Sequence, residues 1–427
     1  MGAFTLTQTN QIRADVRMRG FQHRMEVQAF CDLIRTKISL CGPETISIHD
    51  AGNRVLAEPV FSPVNVPAFP RSAMDGYALK SAETFGAGSY NPLSFKVVGE
   101  VTPGKFFPGT IQPGEAVRIM TGAPIPEGAD AVLMAEYTSE ENEVMTASEA
   151  VPPMKNIGQV GEDIKEGSEV FHRGRVLRAQ DLGILSSIGM AEISVLKKPV
   201  VTLLITGNEL LKPGEMPSGA KIVDSNSIML KDLIERDGGQ IAEILHLPDD
   251  RETIRNALLN APGDMLITTG GTSVGVEDHA PVLVSEEGEL LVHGVAIRPS
   301  APTGFGLVGE RPIFLLPGNP VSCLAAYDFF VGLAIRKMGG RPEAWPYRQT
   351  TLPLKDRISS QIGRVDYARV RIVDGEAELL ATSGASMLSS TSIADGFVVV
   401  SQGSEGMAAG EMATIWMYDQ TTHGDQN

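Results

Sequence analysis

The chain has 427 residues and a formal net charge of −16 at pH 7. That is room for about three domains at roughly 150 residues each, and the acidity excludes a general phosphate-backbone binder, which needs clustered cations. A hydrophobic content of 42% and a charged content of 21% are those of ordinary globular domains and exclude wholesale disorder. Three cysteines, Cys31, Cys41 and Cys323, form no Cys-x-x-Cys pair and support neither a disulfide framework nor a zinc knuckle. No apolar run approaches the ~20 residues that cross a bilayer, and none follows Arg13, Arg17 and Arg19 as in a secretory signal. The expected location is therefore the cytoplasm, with no membrane partner.

Residues 1–23 read as a polar, flexible extension. Met25 to Ile38 predicts a helix with Val27, Phe30, Leu33 and Ile34 on one face. From 58 to 164 short strands (Ser94 to Val101, Ala116 to Met120, Ala131 to Met134) alternate with Pro-Gly turns, which predicts a small β-rich domain. Between Pro199 and Gly340 strands and helices alternate: Val200 to Thr206, then a helix over Ile228 to Ile234 capped by Asp224 or Ser225, strand Ile241 to Leu245, helix Arg251 to Leu259, strand Met265 to Thr269 and strand Ile313 to Leu316. A last helix has Asn319 at its cap, Pro320 at its first position and Gly339 past its end. This alternation predicts a mostly parallel sheet flanked by helices. Beyond Pro346 the pattern returns to β: Ala368, Val370 and Ile372 alternate with Arg369 and Arg371, and Asp374-Gly375 marks a hairpin turn.

Ligands of open α/β sheets bind beyond the carboxyl ends of the strands, and three strand-end loops there carry suitable chemistry. Thr206-Gly207-Asn208-Glu209 delivers a carboxylate after a tight turn. Thr268 to Gly275 (TTGGTSVG) offers glycine amides and hydroxyls for a phosphate, followed by Glu277 and Asp278. Pro317-Gly318-Asn319-Pro320 sets the positive end of the last helix at the same rim. Glu209, Asp224 and Asp278 are hard oxygen donors suited to Mg²⁺ bridging phosphates, with helix capping the competing role for Asp224. In the β-rich segment, Ser72 to Ala78 (SAMDGYA) and Arg118 to Pro124 (RIMTGAP) stand out as regular turn motifs.

PAFPRSAMDGYA, RIMTGAP, VGEDI (Val160 to Ile164), TGNEL (Thr206 to Leu210), VDSNS (Val223 to Ser227), GGTSVG and LLPGNPVS (Leu315 to Ser322) together resemble the MoeA family, which includes the E domain of gephyrin. The resemblance implies a central three-layer α/β molybdopterin-binding domain over 199–342, an elongated linking domain over 24–57 plus 165–198, a β-rich domain over 58–164 and a C-terminal β domain over 347–420. It implies Mg²⁺-dependent insertion of molybdate into adenylyl-molybdopterin with release of AMP. A homodimer is also implied, its cleft formed by the α/β domain of one subunit and the SAMDGYA domain of its mate, with a molybdopterin adenylyltransferase and recipient molybdoenzymes as further partners. Functional positions carried over are Asp75, Thr121, Asp163, Glu209, Asp224, Asp278, Pro317, Pro320 and Ser386. Gly270, Gly271, Ser273 and Gly275 would receive the pterin phosphate, alongside Asn319.

The family usually reads Lys-Pro-Gly-Lys-Pro where this chain has Arg298-Pro299-Ser300-Ala301-Pro302. Arg298 keeps a positive charge without the compact ammonium, and Ala301 keeps none. The competing reading is therefore a weakly catalytic or redirected relative that binds or carries the cofactor. The cluster His172, Arg173, Arg175 and Arg178 reads as a solvated or domain-contact strand, with no nucleic-acid partner. His246, His279 and His293 lack zinc-ligand spacing.

Overall fold

The computed structural model describes residues 24–272 and 278–418. These form two compact units, one of residues 45–195 and one joining residues up to Glu44 with those from Leu196 onward.

The 45–195 unit holds a six-stranded sheet in the order Ala131–Met134, Gly76–Leu79, Glu115–Ile119, Leu93–Val101, Val144–Ala147, Thr138–Glu141. Its alternating side chains feed two apolar clusters, one around Leu79, Phe95 and Leu133 and one around Val101, Val117 and Ile119, as period-2 strands covered on both faces require. A third cluster of Leu56, Val60, Phe171, Leu177 and Leu185 includes a helix, Ala179–Ser187, that the sequence reading did not anticipate. The basic cluster beside it is structural: Arg175 and Arg178 both pair with the buried Asp181.

The predicted first helix forms as Val27–Lys37. Its apolar stripe packs on the α/β core, where Phe30 stacks on Phe330 with ring centroids 4.4 Å apart. Helix and α/β domain thus share one apolar cluster, and the compact unit reaches to Glu44.

The α/β sheet runs Gln240–Leu247, Val200–Thr206, Met265–Thr269, Arg311–Leu316, Gly304–Val308, Glu289–His293. The first four strands pair in parallel, as predicted, and the last two are antiparallel additions. Helices Asn226–Arg236, Arg251–Asn260 and Ala280–Glu287 flank it. The final helical stretch starts at Pro320 and ends before Gly339, but carries a π turn over Tyr327–Val331. The C-terminal sheet pairs Val365–Val373 with Ile297–Arg298, Glu376–Ala381 and Gly396–Val400. Asp374 and Gly375 have φ of 52° and 80°, the two left-handed residues that a tight hairpin turn demands.

Candidate functional site

The three central strands end side by side, so their loops meet. Thr206, Gly270 and Gly318 are packed backbone to backbone: a methyl on Gly270 would lie 2.1 Å from the Thr206 carbonyl oxygen, and one on Gly318 would lie 3.5 Å from the Gly270 Cα. Gly270 and Gly271 have φ of 87° and 56°, so the turn needs residues free of a Cβ penalty. Thr272 Oγ1 donates to the Leu316 carbonyl at 2.8 Å, which holds the turn against the neighbouring strand end. Ser273 and Gly275 lie outside the described residues.

Pro317 is buried at the end of its strand, while Gly318 and Asn319 are exposed. Asn319 caps the following helix through its carbonyl, which accepts from Cys323 N–H at 2.9 Å. Its amide side chain makes no cap bond. Pro320 follows at the first helical position, where its missing N–H costs nothing. The Val321 N–H donates to the Ala385 carbonyl at 2.9 Å, which brings the exposed Ser386 of the C-terminal domain beside the same helix start.

Glu209 is exposed on the first loop, whose Asn208 N–H donates to Asp249 at 2.8 Å. Asp224 is buried and already used: Oδ1 accepts from the Ser227 N–H at 3.1 Å and Oδ2 sits 2.9 Å from His246 Nε2. Capping thus accounts for Asp224, and His246 is its partner. Asp278 is half-buried just ahead of helix Ala280–Glu287. Among the described residues no group of three His, Cys, Asp or Glu side chains is assembled to hold a metal, so the expected trio of Glu209, Asp224 and Asp278 is not preformed. The physical reason lies with Asp224, whose oxygens serve the helix end and His246.

Arg298 is held within the protein and keeps an Nε that has no partner among the described residues. Its guanidinium pairs with Asp366, which is fully buried, and reaches the Ser359 carbonyl at 3.3 Å. Asp366 also accepts from Arg364 at 3.0 Å. Pairing of Ile297–Arg298 with Val365–Asp366 in the C-terminal sheet sets this geometry. Ser300 follows at φ 102° with its hydroxyl donating to the Ser322 carbonyl at 2.7 Å.

Two residues that sequence reasoning passed over are prominent here. Strand alternation put Arg369 opposite Ala368 and Val370, on the solvent side, yet it is fully buried. It donates to the Ser383 carbonyl through Nη2, and Nε and Nη1 have no partner among the described residues. Burial lowers its pKa, but an arginine remains charged in proteins. It therefore carries unmet donors in the interior of the C-terminal domain, enclosed from solvent. The other residue is Asn226, inside the VDSNS motif, whose amide bridges two of the rim loops.

In the 45–195 unit, Asp75 and Thr121 come together across two turns. Asp75 Oδ1 accepts from the Thr121 N–H at 2.7 Å and its hydroxyl at 2.9 Å, and these bonds hold the carboxyl below the usual carboxylate range. Gly76 follows with no room for a side chain, because a Cβ would lie 2.0 Å from the Leu133 carbonyl oxygen. Asp163 is exposed at the other end of the PAFPRS segment, its N–H donating to the Val66 carbonyl at 3.1 Å; no bond to Asp75 or Thr121 is seen among the described residues.

A mostly parallel α/β sheet whose strand ends carry glycine turns and a helix start, joined to β domains, defines a multidomain α/β and β protein. Residues 25–189 match the MoeA N-terminal region (domain I and II), 202–337 the probable molybdopterin binding domain, and 351–418 the MoeA C-terminal region (domain IV). The chain is 33% identical over 380 residues to the molybdopterin molybdenumtransferase of Haemophilus influenzae, covering 87% of this chain and 93% of that one. It is 32% identical over 415 residues to molybdopterin molybdenumtransferase 2 of Mycobacterium tuberculosis, covering 93% and 99%. A crystal structure of the molybdopterin biosynthesis MoeA protein of Pyrococcus horikoshii superposes with a TM-score of 0.77 at 32% identity, covering 93% of this chain and all of that one. The chain belongs to the MoeA family.

Proposed function

We propose that this protein is a molybdopterin molybdenumtransferase, which inserts molybdate into adenylyl-molybdopterin and releases AMP in molybdenum cofactor biosynthesis. The observation that carries the reading is the convergence of the Thr206, Gly270 and Gly318 loops at one rim with the helix that begins at Pro320. Breaking the phosphoanhydride leaves negative charge on phosphate oxygens. The rim's fixed backbone N–H groups and helix start would hold the substrate phosphate in ground and transition states alike. Asp75, held ionised by Thr121, and Glu209 are carboxylates able to orient a nucleophile or the leaving group.

The donor set suits Mg²⁺ with a smaller share of protein ligands than first expected. Mg²⁺ keeps several waters and takes one or two carboxylates plus substrate phosphates, which Glu209 and Asp278 would supply while Asp224 holds the helix start. Bound there, the ion would supply charge neutralisation for the phosphates. We further propose a homodimer that brings the Asp75 region of one subunit to the α/β rim of its mate, acting in the cytoplasm between a molybdopterin adenylyltransferase and recipient molybdoenzymes. No helix among the described residues is long and apolar enough to cross a membrane.

Engagement of Arg298 by Asp366 and the absence of charge at Ala301 favour a second reading, a carrier that retains the cofactor with little turnover. AMP release from adenylyl-molybdopterin with and without molybdate separates the two. Molybdate-dependent release over many turnovers supports the enzyme, and stoichiometric retention without release supports the carrier.

A further inference from the structure

Asn226 opens helix Asn226–Arg236 and is 7% exposed. Its Nδ2 donates at 2.9 Å to Thr269 Oγ1, on the last residue of the strand before Gly270, and at 2.8 Å to the Gly318 carbonyl. The orientation of the amide is set by chemistry, because a carbonyl oxygen can only accept and so must face the NH₂ group. Its Oδ1 is buried and has no partner among the described residues. An amide that leaves an acceptor unmet is a costly choice for a purely structural position, while its two donors both serve rim loops. Thr269 extends the connection: its hydroxyl lies 3.4 Å from the Pro317 carbonyl.

We propose that Asn226 is a positioning residue that clamps the Gly270–Gly271 turn to the Pro317–Gly318 loop, so that the backbone donors of both stand ready for the phosphate of the pterin substrate. The inference rests on the molybdopterin reading of this rim. It goes beyond that reading in assigning the spacing of the two loops to one side chain that itself need not touch the ligand. Either bond alone would fix one loop to the helix. Both from a single NH₂ group fix the loops to each other.

The test uses the full chain with Asn226→Ala, Thr269→Val and the double variant. Thermal unfolding monitors the fold, and AMP release is measured against adenylyl-molybdopterin concentration at saturating molybdate. Phosphate binding is common to ground and transition states, so Asn226→Ala should raise KM about 10- to 100-fold and change kcat less than about threefold. The double variant should be little worse than Asn226→Ala, since both residues act in one clamp. Amide hydrogen exchange on the ligand-free protein should quicken in Met265–Thr272 and in Pro317–Val321 together. An unchanged KM, a loss confined to kcat, or independent additive effects would overturn the proposal. If wild type releases no AMP, the transferase reading fails, and the exchange experiment still decides the clamp: faster exchange in both segments upholds it, and unchanged exchange in either removes it.

Discussion

Replacing Gly270 with alanine should disable the rim more than any other single methyl added there. The new carbon would sit 2.1 Å from the Thr206 carbonyl oxygen, 1.3 Å short of the 3.4 Å at which ordinary contact begins. No rotamer relieves this, because the opposing atom is backbone in a parallel strand pair whose register runs to Ile205 and Thr269. The residue must also hold φ near 87°, a conformation costing an L-residue roughly 1–2 kcal/mol. With about 1–3 kcal/mol for overpacking, the native turn becomes about 2–5 kcal/mol less favourable, and a displaced turn is the natural escape. Binding of adenylyl-molybdopterin should then weaken by roughly 30-fold or more. Gly271→Ala meets only the Thr206 hydroxyl at 3.1 Å with φ of 56°, and should lose about tenfold. Gly318→Ala, 3.5 Å from the Gly270 Cα, should bind within about threefold of wild type. Equilibrium titration of the three variants, with thermal unfolding alongside, gives the order directly. Wild-type affinity in Gly270→Ala, or Gly271→Ala as the worse variant, would refute the steric argument.

Arg369→Met should leave stability unchanged or raise it, since it removes a buried charge with unmet donors. A fall in melting temperature for Arg369→Met would show that the buried guanidinium stabilises the fold. Thr121→Val deletes the hydroxyl that Asp75 accepts from and keeps the backbone bond. The Asp75 carboxyl, depressed in the folded protein, keeps these contacts above its unfolded pKa and loses them as pH falls through its folded value. An NMR titration should show its midpoint rising in the variant, and a fall would contradict the assignment. Burial pushes the Asp328 carboxyl up to about 6, so the folded state holds a proton that the unfolded chain has released, and this contribution is lost as pH rises from about 4 through about 6. Wild type should therefore lose melting temperature relative to Asp328→Asn between pH 4 and 7, and a relative gain would show the sign to be wrong.

Local signals carried much of the architecture. The strands Val200–Thr206 and Met265–Thr269 form where apolar β-branched runs placed them, Asp374-Gly375 turns because two left-handed residues fall between alternating strands, and Pro320 begins a helix because a missing N–H is free of cost there. Strand-end glycines were legible as a ligand rim for the same reason: positive φ and close backbone approach leave a mark in residue type.

Which side chains remained available to a ligand was decided only when the chain folded. Asp224 and Arg298 carry the right charge in sequence, but His246 with a helix end occupies one and Asp366 the other, partners 22 and 68 residues away. Arg369 sits in a strand whose alternation pointed it to solvent, and packing buried it with unmet donors. The reason is general: conformational preference is a property of a few adjacent residues, whereas the free valence of a charged group depends on every element that packs against it.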